Sequence, residues 1–173
     1  SLWELGLDPM CFSHVKLMAF DLLSLQQPTS RGGPDNFWRK GRPVRKVEMV
    51  GVVVIRERKD KFLKFDVDDG TACVPCILWL NHLTTKFYSK VQKSQLECFA
   101  AMALAQAEET QLGRLVRVQG RVTVYNRQLQ VTVKSVLVER DPNAEILHWM
   151  DCIRLAVRCY DLPSPLPSKH NAS

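Results

Sequence analysis

The segment from Arg45 to Arg58, RKVEMVGVVVIRER, limits the folds open to this chain more than any other stretch. It is long, rich in β-branched residues and apolar on both faces in its middle, which predicts a strand that is covered on both sides. Gly51 stands where such a strand would bend or bulge. A strand of this kind belongs to a closed barrel or to two packed sheets.

A second and a third strand-like run follow, over residues 60–69 (DKFLKFDVDD) and 71–80 (TACVPCILWL). Apolar and polar residues alternate along both runs, as they do in half-buried strands. Between them stands Asp69-Gly70, and glycine readily adopts the positive φ that a tight hairpin turn requires. The two runs therefore predict a β-hairpin that follows the first strand.

Residues 65–79 of this hairpin carry three carboxylates and two cysteines, which raises the alternatives of a metal site and a hydrolase site. Cys73 and Cys76 are three residues apart, so on a strand their thiols project to opposite faces and cannot bind one ion. Asp66 and Asp68 share a face and could hold a magnesium ion, but no catalytic histidine or lysine motif accompanies them. We therefore predict carboxylates that favour the turn and the solvent, with no metal and no cofactor.

A helix and two more strands complete the predicted core. Residues 80–112 contain neither glycine nor proline, and a helix is predicted over Ser89–Glu109. Its inward positions are Leu96, Phe99, Ala103 and Ala107. Two strands follow, over residues 113–126 and 127–141, and meet at Asn126-Arg127. Three strands, a helix between strands three and four, and two further strands predict a mainly β protein built on a five-stranded OB-fold barrel.

The flanking segments are interpreted from capping residues and composition. Asp8 followed by Pro9 indicates the start of an N-terminal helix, and residues 26–43 are rich in proline, glycine and basic residues, as linkers are. Asp141-Pro142 marks the start of a C-terminal helix that runs to Tyr160. The predicted organisation is a helical segment at 1–25, a linker at 26–43, the barrel at 44–141, a helix at 142–162 and a disordered tail at 163–173.

The C-terminal helix has one apolar stripe, which suits a helix that packs against a second helix. The members of the stripe are Ile146, Trp149, Met150, Ile153 and Val157. We interpret the stripe as a partner-binding surface. The alternative is that it covers the barrel of its own chain.

The net charge of +6 is concentrated in two stretches of the sequence. Residues 38–64 carry ten lysines and arginines against three acids, and residues 113–140 carry six against one. Basic stripes of this kind suggest a polyanionic partner, with an ordinary solvated surface as the alternative.

Other features of the composition narrow the class of protein. No apolar run approaches the roughly 18 residues that a membrane span needs, and the first residues carry acids where a secretory signal carries bases. The six cysteines have no framework-like spacing, which favours reduced thiols and hence the cytosol or the nucleus. No set of nucleophile, base and orienting residue stands out, so we do not expect an enzyme.

An OB-fold binds single-stranded nucleic acid through its second and third strands and through the loops after its first and fourth strands. Basic and aromatic residues occur at these places. The candidate DNA-binding residues are Arg56, Arg58, Lys59, Lys61, Phe62, Trp79, Arg117, Arg121, Tyr125 and Arg127. Bases can stack on the rings while the cations follow the phosphates. For Trp79 the alternative is packing under the N-terminal helix or the linker.

Several of these stretches resemble one known family. The segments SLWELGLDPMCFSHVKL, VEMVGVVVIRERKDKF and VDDGTACVPCILW, with the helix after the barrel, are similar to the middle OB-fold subunit of the CST telomere-capping complex. That subunit is itself similar to the middle subunit of replication protein A. The resemblance covers the chain from Leu2 to about Pro163.

The resemblance implies more than the residues alone can show. It implies a subunit of a trimeric, single-stranded DNA-binding complex that protects telomeres in the nucleus and promotes C-strand fill-in by DNA polymerase alpha–primase. The implied partners are the smallest OB-fold subunit, paired through the C-terminal helix, and the large subunit, with no membrane. A protein-interaction module that does not itself touch DNA remains the alternative. The family usually continues into C-terminal winged-helix domains, which leaves open whether these 173 residues are a fragment.

Overall fold

The computed structural model describes residues 8–27, 37–81 and 93–162. Within these ranges the strands are β1 (His14–Lys16), β2 (Phe37–Arg39), β3 (Arg42–Val44), β4 (Lys46–Arg58), β5 (Phe62–Asp68), β6 (Cys73–Trp79), β7 (Leu115–Tyr125) and β8 (Gln128–Val138). The α-helices are α1 (Ala19–Leu23), α2 (Lys93–Glu109) and α3 (Ala144–Leu155), and α3 runs directly into a π-helical turn, Ala156–Tyr160. The chain is mainly β, as the sequence predicts.

Five of the strands close into a barrel. The strand order is β4-β5-β6-β8-β7, and β7 pairs back onto β4. The length of β4 makes this closure possible, because its first half, Lys46–Val52, pairs with β7 and its second half with β5. A register shift between Val53 and Ile55 bends the strand where it passes from one side of the barrel to the other. The predicted five-stranded OB-fold barrel is therefore confirmed.

Two glycines allow the strands to pass close to one another inside this barrel. A Cβ on Gly51 would lie 2.5 Å from the carbonyl oxygen of Asp68, and a Cβ on Gly120 would overlap the carbonyl oxygen of Thr132. In both cases the obstacle is backbone, which cannot move aside as a side chain can. Glycine is therefore required at these positions for steric reasons.

Replacing Gly120 by alanine is expected to destabilise the fold by roughly 1–3 kcal/mol, the usual cost of overpacking a core. The added methyl group forces β7 away from Thr132 in a strand that holds the barrel closed. Thermal or urea denaturation of the Gly120→Ala chain checks the value. An unchanged midpoint would mean that the strands can separate without cost.

The N-terminal helix predicted to begin at Asp8-Pro9, within the segment 1–25, is wrong. Asp8 does cap a turn that starts at Pro9, but this is a short 3-10 turn, Pro9–Cys11. The chain then forms β1, which pairs in parallel with β4, before the short helix α1. Strand pairing prevails because β1 can bury Val15 and hydrogen-bond at the edge of an existing sheet. Residues 1–7 lie outside the described residues.

Part of the predicted linker has regular structure. Residues 37–44 form a hairpin of β2 and β3, with positive φ angles at Lys40 and Gly41 in the turn. Phe37 and Val44 are buried and anchor the hairpin in the core. Of the rest of the predicted linker, residues 26 and 27 are described, and residues 28–36 lie outside the described residues. The predicted tail at 163–173 also lies outside them.

The hairpin between β5 and β6 is confirmed, with φ of 83° at Gly70. Its carboxylates differ from the prediction in one respect, because Asp69 is buried rather than solvated. The Asp69 side chain accepts hydrogen bonds from the backbone N–H of Ala19 at 2.7 Å and of Thr71 at 2.9 Å. The turn thus holds the N-terminus of α1.

The two cysteines of β6 face opposite sides, as strand parity predicts. Cys73 is exposed, whereas Cys76 is buried in the core, where burial raises the pKa of its thiol above the ordinary value. These two thiols therefore cannot bind a common ion.

Helix α2 lies against the barrel through small side chains. Ala103 and Ala107 are buried as predicted, but Phe99 is 44% exposed and Leu96 is only half-buried. The helix ends at Glu109, as predicted, while residues 89–92 of the predicted helix lie outside the described residues. In the described part of the chain, no helix has both the length and the apolarity needed to cross a membrane.

Candidate nucleic-acid interface

Two aromatic rings stand together on the outer face of the β5–β6 hairpin. Phe62 and Trp79 are directly opposite each other in the strand register. Their ring centroids are 5.6 Å apart at an angle of 73°, an edge-to-face contact. Trp79 is 41% exposed, so the pair presents an apolar surface to solvent.

A third ring joins this pair from the other hairpin of the barrel. Tyr125 ends β7, next to a two-residue turn at Asn126-Arg127 in which both residues have positive φ, and its side chain is 55% exposed. The ammonium group of Lys64 lies 5.0 Å from the centre of the Tyr125 ring and 5.4 Å from that of Phe62. We call Phe62, Lys64, Trp79 and Tyr125 the aromatic cluster.

The sequence interpretation names the three rings but misses Lys64. Lys64 shares the outward side of β5 with Phe62, two residues earlier, so strand parity could have found it. Its position between two rings on different hairpins could not have been read from parity, because it depends on how the barrel closes.

Four of the predicted cations lie at exposed loop or strand positions. Lys61 lies in the loop between β4 and β5, and Arg127 lies at the tip of the β7–β8 hairpin. Arg121 is exposed on the outer side of β7. Lys59 forms a solvent-exposed ion pair with Glu57, at 3.0 Å, and such a pair is weak enough to exchange for a phosphate.

Arg58 donates a hydrogen bond to the backbone carbonyl of its neighbour Lys59. It is half-buried at the end of β4. It therefore shapes the loop that carries the other basic residues.

Two predicted DNA-binding arginines, Arg56 and Arg117, are anchored within the fold. Arg56 donates to the carbonyl oxygens of Thr110, at 2.7 Å, and Ala107, at 3.2 Å, and so caps the C-terminal end of α2. Arg117 forms ion pairs with Glu48 at 2.7 Å and Glu139 at 2.5 Å. Because these charges are already matched, we leave both arginines out of the interface proposed below.

Glu48 is the centre of that second group of contacts. Burial would raise the pKa of its carboxyl, but hydrogen bonds from Gln119 and Arg117 and the nearby Lys16 charge hold it below the ordinary value. The amide of Gln119 donates to Glu48 at 2.6 Å. This part of the β4–β7 surface is thus an internal polar network.

The C-terminal helix presents a second candidate surface. One side of α3 packs on the barrel, through the buried residues Ala144, His148 and Cys152. The other side of α3 and of the π-helical turn after it carries four residues that are 57–67% exposed, which we call the exposed stripe: Ile146, Met150, Ile153 and Val157. Four large apolar side chains on one helix face, all exposed, mark a surface suited to a partner.

Trp149 differs from the other four residues predicted for the stripe. Its ring lies over Gly70, 3.5 Å from where a Cβ of that residue would be, and its side chain is half-buried. Trp149 therefore helps to dock α3 on the β5–β6 turn. Both interpretations made from the sequence therefore describe part of this helix, because one side packs on its own barrel and the other side is exposed.

The sequence of this chain is similar to those of known telomere proteins. Residues 33–162 match the model of a family described as telomere regulation protein Stn1. CST complex subunit STN1 of Arabidopsis thaliana is 42% identical over 148 residues, which is 86% of this chain and 92% of that protein. The human CST complex subunit STN1 is 28% identical over 94% of this chain, but the match covers only 45% of the human protein.

Solved structures show the same fold. The crystal structure of the S. pombe Stn1–Ten1 complex contains a chain that matches with a TM-score of 0.66 and 16% identity, over 84% of this chain and 92% of that one. A replication protein A heterotrimer bound to single-stranded DNA contains one that matches with a TM-score of 0.63 and 16% identity, over 84% and 96% of the two chains. The resemblance recognised in the sequence is thus confirmed, and the chain belongs to the Stn1 family of telomere regulation proteins.

Proposed function

We propose that this chain is a non-enzymatic, single-stranded DNA-binding subunit of a replication-protein-A-like complex that acts at telomeres in the nucleus. The observation that carries the proposal is the aromatic cluster, where Lys64 lies between rings from two hairpins at an exposed surface. Unpaired bases stack on such rings whatever their sequence, and the exposed Lys61, Arg121 and Arg127 suit the phosphates.

The energies favour DNA over the contact that Lys64 makes in the free protein. A cation over an exposed ring contributes about 0.5–1 kcal/mol. A base stacked on an aromatic side chain contributes about 1–3 kcal/mol. A base can therefore displace the Lys64 ammonium group from Tyr125, and the released ammonium group can then bind a phosphate.

The relatives support the partners that we propose. The printed names describe CST complex subunits, a Stn1–Ten1 complex and a replication protein A heterotrimer bound to single-stranded DNA. By analogy we assign to this chain a small OB-fold subunit, bound by the exposed stripe, and a large subunit. Protection of chromosome ends and promotion of C-strand fill-in by DNA polymerase alpha–primase are part of the same proposal.

Replacing Tyr125 by alanine is expected to cost about 1–3 kcal/mol of single-strand affinity, because a stacking ring is lost. Tyr125→Phe is the matched control and should bind like the parent, because it retains the ring. The slope of log affinity against log salt should stay nearly unchanged in both variants. Fluorescence anisotropy with a labelled oligonucleotide, titrated at several salt concentrations, measures affinity and slope together.

Arg127→Gln should behave differently and lower the salt slope by about one, because one phosphate contact is lost. The loss of affinity relative to the parent should therefore be smaller at high salt than at low salt. Its exposed position at the hairpin tip makes a structural effect of the substitution small. Parental affinity for both Tyr125→Ala and Arg127→Gln, in protein that binds DNA, would contradict the proposed interface.

The exposed stripe favours a second candidate, a protein-interaction module whose partners supply the DNA contacts. The two candidates differ in one measurement. If the assembled complex binds DNA equally well with parental chain and with Tyr125→Ala, the second is correct.

A further inference from the structure

A cavity of about 220 Å³ opens beside the aromatic cluster, between the β5–β6 strands and the tip of the β7–β8 hairpin. Its lining residues include Pro75, Leu129 and Tyr125. Lys64, Asp66, Gln128 and Gln130 line it as well. A lining that combines an aromatic ring, apolar residues and hydrogen-bonding residues suits a flat heterocycle.

Asp66 is the unusual member of this lining. It is half-buried on a strand, and no hydrogen bond or ion pair joins its side-chain carboxylate to another of the described residues. Burial raises the pKa of its carboxyl above the ordinary value. Its near neighbour Lys64 directs its ammonium group to the rings of Phe62 and Tyr125 rather than to this carboxylate.

A half-buried carboxylate without a partner is costly in the free protein and has acceptor capacity to offer a ligand. Among the standard bases, guanine alone presents two adjacent donors on one edge, at N1 and at the N2 amino group. Adenine and cytosine present one donor beside an acceptor, and thymine places its N3–H between two carbonyl oxygens. Two parallel hydrogen bonds to one carboxylate are the strong arrangement.

We propose that Asp66 is a specificity-determining residue that accepts these two hydrogen bonds from a guanine held in the cavity against Tyr125. This inference rests on the proposed single-strand binding and adds the base preference of one position. Stacking on Tyr125 holds any base, whereas Asp66 selects which base is held most tightly.

The test compares oligothymidines of roughly a dozen nucleotides, a length within the range that one OB-fold covers. One central position carries thymine, guanine, inosine, which lacks the 2-amino group, or 7-deazaguanine, which keeps the whole Watson–Crick edge. The complete 173-residue chain should bind the guanine oligonucleotide roughly five- to thirtyfold more tightly than oligothymidine. Inosine should lose several-fold of this preference, and 7-deazaguanine should retain it.

Asp66→Asn should abolish the preference, so that the guanine and the thymine oligonucleotides bind with equal affinity. Asp60→Asn is the matched control, because it removes the same charge from an exposed loop position outside the cavity lining and should keep the preference. A thermal midpoint checks that both variants fold. If Asp66→Asn does not fold, the four oligonucleotides still decide the question with the unaltered chain.

Different failures have different meanings. Equal affinity for all four oligonucleotides, or a guanine preference that survives in Asp66→Asn, overturns the role of Asp66 and leaves the proposed DNA binding intact. Binding to none of them, alone or with the small OB-fold partner, overturns both.

Discussion

Replacing Ile153 by glutamate is expected to abolish pairing with the small OB-fold subunit while leaving the barrel folded. Ile153 lies in the middle of the exposed stripe and is 57% exposed in the free chain. A charge there costs little in the monomer, because it faces water. In a helix-to-helix contact it would be buried without a partner, which costs several kcal/mol.

The expected loss of affinity is at least about 3 kcal/mol, or more than 100-fold, because interfaces concentrate their energy in a few central apolar residues. Co-purification from a co-expressed pair gives a first measurement, and calorimetric titration of the separate subunits gives the affinity. The thermal midpoint of the isolated variant should match that of the parent.

Leu147→Glu is the matched control for this experiment. Leu147 lies on the same helix and is equally exposed, at 56%, but stands about a quarter-turn around the helix from the stripe. The same chemical change there should leave pairing intact. Pairing at parental affinity for Ile153→Glu would show that the stripe is not the contact, and unfolding of this variant would show that the residue belongs to its own core.

The second large expected effect is a loss of folding stability when the buried ion pair between Asp8 and Arg42 is broken. Asp8 and Arg42 are both nearly inaccessible, and the carboxylate accepts two hydrogen bonds from the guanidinium group, each at 2.9 Å. The third Arg42 contact is to the carbonyl oxygen of Cys159, at 2.5 Å. Arg42 therefore joins the 3-10 turn, the β2–β3 hairpin and the end of the C-terminal helix.

Asp8→Asn is expected to destabilise the chain by about 3–5 kcal/mol. The asparagine oxygen can still accept from the backbone N–H of Met10, as the carboxylate does at 2.9 Å, but Arg42 is left with a buried and unpaired charge. Urea denaturation measures the change. Glu57→Gln, which removes one partner of an exposed ion pair, is the control and should leave the midpoint unchanged.

The same pair predicts a dependence on pH. Burial alone would raise the pKa of Asp8, but the hydrogen bonds from Arg42 and Met10 and the Arg42 charge bring it below its ordinary value of 3.8. A carboxyl whose pKa is lower in the folded state stabilises the protein above the ordinary pKa and loses that contribution as the pH falls. Stability should therefore drop below about pH 4, and Asp8→Asn should show less of this drop. An identical acid transition in the variant would contradict the assignment.

The candidate DNA surface was only partly predictable from sequence. Strand parity correctly directs Phe62, Trp79 and Tyr125 outward, because parity is a property of each strand by itself. It directs Arg117 outward in the same way, yet this side chain is matched by Glu48, 69 residues earlier in the chain. No local pattern reveals a partner at that distance.

The N-terminal region shows a second limit of prediction from local sequence. Residues 14–16 have no strong local preference, and their structure is decided by the free edge of β4, with which they pair. The Asp8-Pro9 capping signal favours a helix after it, but an available sheet edge supplies hydrogen bonds and burial together. Tertiary context overrode a weak local tendency.

The sequence by itself determined the five barrel strands, their hairpins at Asp69-Gly70 and Asn126-Arg127, the helices α2 and α3, and the family. The strands, hairpins and helices depend on alternation, turn residues and helix periodicity, which act over a few neighbouring residues. The family follows from the resemblance of whole segments to known members. Only the tertiary structure decided that β1 joins the sheet, that Asp69 caps α1 and that Lys64 lies over Tyr125, 61 residues away. Each of these is a contact between segments far apart in the chain, and the closure of the barrel brings those segments together.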